Sequence, residues 1–66
     1  MDLPEAVRVR LVVFDVLGRE VARPVDRFYE AGRHRLRVVG ADWPAGVYVY
    51  RLEAGRWVYS GTFVRR

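Results

Sequence analysis

Sixty-six residues make one small domain, and a domain of this length buries only about 60% of the surface its unfolded chain exposes, which leaves little room for a deep catalytic cleft. The absence of cysteine excludes a disulfide framework and a thiolate metal site. All 12 basic residues are arginine, and with 8 acidic residues they give a formal charge of +4 and a pI near 10.3; that balance could serve an acidic partner, but the arginine usage of a GC-rich or heat-adapted host, with no partner implied, is the favoured reading.

No apolar run approaches the roughly 20 residues that span a bilayer, and Met1 to Val7 has neither a basic nor an apolar signal-peptide region, so export would need a signal supplied elsewhere. Period-two alternation dominates instead. Val7, Val9, Leu11 and Val13 share one face and Arg8 and Arg10 the other, until Val12 and Phe14 make the segment apolar on both sides; this predicts a strand over 7–14. Asp15-Val16-Leu17-Gly18 breaks the pattern and offers a glycine able to take positive φ. The expected hairpin returns through a short strand, Arg19 to Arg23, that Pro24 ends. Asp15 is expected to bind the backbone of its own turn.

Val25 to Gly32 shows no sustained alternation and reads as a loop. Arg33 to Val38 alternates again, with His34, Leu36 and Val38 inward and three arginines outward, predicting a one-sided antiparallel strand. Gly40 to Gly46 is punctuated by glycine and Pro44 and reads as a connection. Val47 to Ala54 predicts a strand with Tyr48, Tyr50 and Leu52 on one face. Gly55 turns the chain, and Trp57 to Val64 predicts the last strand, with Trp57, Tyr59 and Phe63 opposed to Val58, Ser60, Thr62 and Val64; alternation alone leaves open which face is buried. No helical stripe competes. Five strands on short turns predict an all-β fold, a small immunoglobulin-like antiparallel sandwich or partial barrel.

Catalytic chemistry finds no foothold. Ser60 is the only serine and has no Gly-x-Ser-x-Gly elbow around it, and Asp15, Asp26, Asp42 and Glu53 are scattered rather than paired. His34 is the lone histidine, so a packed or edge role is expected rather than a ligand or base. We therefore assign no catalytic residue, metal ligand, cofactor or small-molecule substrate, and read the chain as a non-enzyme. Gly18, Gly32, Gly46 and Gly55 read as turn residues, and Tyr48 and Tyr50 as core aromatics with hydroxyls at the rim. Arg8 and Arg10, with Arg33, Arg35 and Arg37, would form a cationic sheet face if their strands were neighbours, as in β domains that bind single-stranded nucleic acid. Few aromatic residues face out beside them, and alternating arginine also marks a solvated edge that resists aggregation, so nucleic acid is the weaker reading.

The order of motifs resembles the C-terminal sorting domain of proteins exported by the type IX secretion machine of Gram-negative bacteria. An apolar strand ends in Phe14-Asp15 and is followed by Gly18, Arg19, Glu20 and Val21. An Ala-Gly-x-His stretch follows at Ala31, Gly32 and His34, then a Pro-x-Gly-Val-Tyr motif at Pro44, Gly46, Val47 and Tyr48, and Tyr50-Arg51-Leu52. Val38 stands where a tryptophan is common and Trp43 where leucine is usual. The family's opening Pro-Asn-Pro segment and first strand are absent, so the resemblance places residues 1–66 inside one β-sandwich domain, the C-terminal part of a longer secreted protein.

What the resemblance implies is an address label. A cargo domain on the N-terminal side would cross the periplasm, the outer-membrane translocon would recognise the folded domain, and a cell-surface sortase would remove it, leaving the cargo on the outer membrane surface or secreted. Gly61, Thr62, Phe63, Val64, Arg65 and Arg66 would form the recognition element, although the lysine usual in this strand is missing. Phe14, Asp15, Gly18, Gly32, Pro44, Gly46 and Tyr48 would hold the fold. The same phrasing is similar to the immunoglobulin-like domain of flagellar hook-capping proteins, which leaves a purely structural module as the alternative. A missing first strand would also leave an open sheet edge for self-association.

Overall fold

Strand-forming residues with period two dictate an all-β chain, and the computed structural model, which describes residues 1–37 and 42–66, has no helix among those residues. In chain order the strands are β1 (Asp2–Leu3), β2 (Val7–Phe14), β3 (Glu20–Tyr29), β4 (Gly32–Arg33), β5 (Gly46–Ala54) and β6 (Trp57–Arg65). They form an antiparallel four-stranded sheet in the order β3-β2-β5-β6 and a two-stranded sheet, β1-β4. Together these make a small sandwich-like fold with unequal layers.

Directly opposed residues of an antiparallel pair share a face. The register Val9↔Ala54, Leu11↔Leu52 and Leu11↔Val25 therefore gathers the inward set of β2 with its partners on both neighbours. Leu3 of the small sheet closes over them, and Leu3, Val7, Val9, Leu11, Val25 and Ala54 form the buried core, with Leu36 and Trp57 packed at its margin. Val9 at its centre has no exposed surface. The N-terminus is tied down by reciprocal backbone bonds, His34 N–H to the Met1 carbonyl at 2.8 Å and the Met1 amine to the His34 carbonyl at 3.0 Å.

The first turn forms as expected. Asp15 Oδ1 accepts from the Leu17 and Arg19 amides, each at 2.9 Å, while Gly18 takes φ 82°. Only glycine adopts that conformation readily, and the carboxylate replaces ladder bonds that the turn cannot make.

Two expectations along the return strand are corrected. Pro24 does not end it, and Val25 to Gly32 is not simply a loop: β3 continues through the proline to Tyr29. The register steps from Leu11↔Val25 to Val13↔Ala22, so Arg23 and Pro24 together oppose Val12 in a bulge. A proline at a bulge of an edge strand costs no ladder bond, which is why the strand tolerates it. The strand expected over Arg33 to Val38 shrinks to Gly32–Arg33, paired with a two-residue β1 that the sequence did not suggest. Inward–outward alternation persists from His34 to Arg37, half-buried then exposed, although no described strand pairs with this stretch. Val38 lies outside the described residues, as do Gly40 and Ala41 of the connection.

Candidate interaction surface

The residues expected to carry a signal all lie on or beside β6, which bonds β5 on one side and, among the described residues, pairs with no strand on the other. Pairing of Tyr48 with Phe63 and of Gly46 with Arg65 brings the Pro44–Tyr48 motif against the C-terminal end of β6. Tyr48 and Phe63 stack with centroids 5.6 Å apart, and Trp43 tilts against both at 5.5 and 6.1 Å. Backbone carbonyls hold this cluster in place: Tyr48, the one buried tyrosine, donates its hydroxyl to Pro44, and Arg65 Nε donates to Trp43 at 2.8 Å. Trp43 therefore clamps the tail.

Asp15 and Gly18 border the same end of the sheet, because Phe14 pairs with Val49 and the first turn lies beside Pro44 and Gly46 around a shallow depression of about 360 Å³. Gly32 is not part of this group. It pairs with Leu3 in the small sheet. The four glycines expected in turns all take positive φ, but only Gly18 and Gly55 lie in turns, while Gly32 and Gly46 begin β4 and β5. The buried-face question for β6 is also decided: Phe63 and Trp57 face the core side, half-buried, while Val58, Thr62 and Val64 are exposed on the other face.

On the core side, among the described residues, the small sheet leaves an apolar groove of about 570 Å³, floored by Leu11, Tyr50 and Leu52, walled by Leu36 and Trp43, and ending at Phe63 and Arg66. Its floor was visible in the sequence as the shared face of Tyr50 and Leu52, but the groove itself was not. Opposite Tyr50 stands Gly61. The Tyr50 ring lies over that glycine so closely that a Cβ there would sit 2.6 Å from the hydroxyl oxygen.

The arginines do not form the cationic face considered above. Arg33 is on β4, which does not neighbour β2, and it pairs with Asp2 at 3.1 Å. On the outer face of the main sheet Arg8 meets Asp26 at 2.7 Å, Arg23 meets Glu20 at 2.9 Å and Arg51 meets Glu53 at 3.0 Å. The hydrogen bond from Arg8 holds the Asp26 carboxyl below its ordinary pKa, and the Arg19 amide does the same for Asp15. Val12, almost wholly buried, lies among Arg10, Phe14 and Arg51 in this lattice, so arginine stems cover an apolar residue as well as carrying charge.

His34 takes the edge role expected: its Nε2 lies 2.6 Å from the Glu30 carbonyl, and its ring meets Tyr29 edge-on at 4.8 Å. Among the described residues no three histidine or carboxylate side chains could hold a metal ion. Comparisons with known protein families, with characterised proteins and with solved structures find no match for this chain.

Proposed function

We propose that this chain is a non-catalytic sorting domain of the kind used by type IX secretion, with Gly61 to Arg66 as the element that a translocon reads. The observation that carries the reading is the convergence of motifs separated in sequence. Phe14-Asp15-x-x-Gly18 and Pro44-x-Gly46-Val47-Tyr48 meet at one end of the sheet, around the strand that would bear the signal. A signal held this way is rigid, because the Trp43–Tyr48–Phe63 cluster fixes it, yet no described strand pairs with its outer backbone, which leaves that edge for a partner. Cargo, translocon and sortase are the partners this reading requires, with passage through the periplasm to the cell surface. Ion pairing of Arg8, Arg23 and Arg51 speaks against the nucleic-acid alternative.

The test is a fluorescent reporter with a signal peptide fused ahead of residues 1–66. It should reach the surface or medium of a type IX-competent cell and stall in the periplasm of a translocon mutant, and removal of Phe63 to Arg66 should cause the same stall. Equal export without those residues or without the translocon would leave the structural, hook-capping-like module as the better reading.

A further inference from the structure

The two edges of the main sheet are built differently. β3 carries Pro24, a bulge and charges at Arg23, Asp26 and Arg27, all of which discourage another strand from pairing there. β6 carries none of these protections: from Trp57 to Val64 no residue is charged and none is proline. Val58, Tyr59 and Val64 are 59%, 58% and 64% exposed along it. The same stretch, Val58-Tyr59-Ser60-Gly61-Thr62-Phe63-Val64, is a near-palindrome about Gly61. Valine mirrors valine, tyrosine mirrors phenylalanine, and serine mirrors threonine.

We propose that β6 pairs antiparallel with β6 of a second copy of this chain, about a twofold axis through Gly61. A palindrome in an antiparallel pair places like residues opposite each other. Val58 meets Val64 and Ser60 meets Thr62 on the outer face, while Tyr59 meets Phe63 and Trp57 meets Arg65 on the core face, each a favourable cross-strand pair.

The backbone fits the same register. Gly55, at φ 59°, and Arg56 form a two-residue turn of type II′, since Arg56, like every described residue other than glycine, lacks positive φ. Such a turn makes Ala54 and Trp57 the hydrogen-bonded pair that closes the hairpin. Ladder alternation then assigns the inward-bonding groups to Trp57, Tyr59, Gly61 and Phe63, and turns the N–H and C=O groups of Val58, Ser60, Thr62 and Val64 outward. With the axis at Gly61, those outward residues are the ones that face each other, so their backbone groups are satisfied across the interface.

At the axis the two copies of Gly61 form a non-hydrogen-bonded pair, about 4.5 Å between Cα atoms. The Tyr50 rings, each lying over its own Gly61, come together there, and their hydroxyls make no hydrogen bond within one copy among the described residues. Because the β3 edge is blocked, pairing closes after two copies instead of growing into a fibre. This inference does not rest on the sorting reading, and its test needs no secretion machinery.

The interface is short and belongs to the weak class, below about 1,200 Å² in total, so association should be followed by sedimentation up to about 1 mM chain. The expected particle has twice the monomer's 7.7 kDa. Ser60→Pro deletes an outward N–H and no β5 bond, and should weaken association by at least about tenfold with the circular dichroism unchanged. Register is read by charge, independently of how that variant folds. The chain bearing Val58→Glu with Val64→Lys sets opposite charges across the axis twice and should associate at least as well as the parent at low salt. Val58→Lys with Val64→Lys sets like charges there and should stay monomeric. A parent chain that is monomeric at about 1 mM, or two charge variants that associate equally, would overturn the proposal.

Discussion

Gly61 is open to a quantitative test, because the three atoms nearest to a Cβ placed there all belong to one side chain, Tyr50. A methyl group there would lie 2.6 to 2.8 Å from the hydroxyl oxygen and two ring carbons of Tyr50, well inside van der Waals contact. Gly61→Ala must therefore swing the half-buried ring off β6. Overpacking of a well-filled site costs about 1–3 kcal/mol, and since only the far end of one flexible side chain moves, the low end, about 1 kcal/mol, applies. Removing a glycine from a strand interior returns roughly 0.5–1 kcal/mol of backbone entropy. Gly61→Ala should thus be neutral to about 0.5 kcal/mol destabilising in the parent. In a Tyr50→Val background only the entropy gain remains, and the same substitution should stabilise by roughly 0.5–1 kcal/mol. The coupling between the two sites is then about 1 kcal/mol or more, a shift of about 4–8 °C in Tm for a domain of this size. Urea melts of the four proteins, at concentrations too low for strand pairing, measure it. A coupling under about 0.3 kcal/mol, the scatter of independent sites, would refute the placement of Tyr50 over β6.

Val9→Ala removes two methyl-sized groups from the fully buried centre of the core, about 1.6 kcal/mol of transfer plus a cavity contribution, for a total of about 2–3 kcal/mol. That is a large share of the roughly 3–10 kcal/mol expected for 66 residues, while Val64→Ala on the exposed face should stay within about 0.5 kcal/mol; equal losses in denaturant melts would refute the assignment of the buried face. Asp15 and Asp26 have folded-state pKa values held below the ordinary 3.8, by the Arg19 amide and by Arg8 respectively. The unfolded chain thus binds their protons more tightly, so their contribution is full above about pH 5 and is lost as pH falls through about 4 and below. Urea midpoints should be level from pH 7 to about 5 and drop below about 4, and Asp15→Asn should reduce that drop; an unchanged drop would remove Asp15 from the account.

Period-two patterning in Val7 to Phe14, Val47 to Ala54 and Trp57 to Val64 determined three strands and the faces of two, because side-chain alternation is a local property of extended backbone. Asp15-x-x-Gly18 and Gly55 likewise determined their turns, since a carboxylate beside its own amides and a residue able to take positive φ act within four positions. Tertiary structure alone decided what depends on strand order. Pro24 reads as a stop in isolation, yet it lies within β3 because β3 is an outer strand and the bulge opposite Val12 needs no N–H there. Arg8 and Arg10 read as half of a cationic face, yet the neighbouring strand brings Asp26, 18 residues beyond Arg8, into contact with that guanidinium. Trp43, Tyr48 and Phe63 gave no local sign of meeting, and neither did Tyr50 and Gly61. Their contact follows from the register of β5 on β6, and the freedom of the β6 edge from its place at the end of the sheet, which no pattern within the strand encodes.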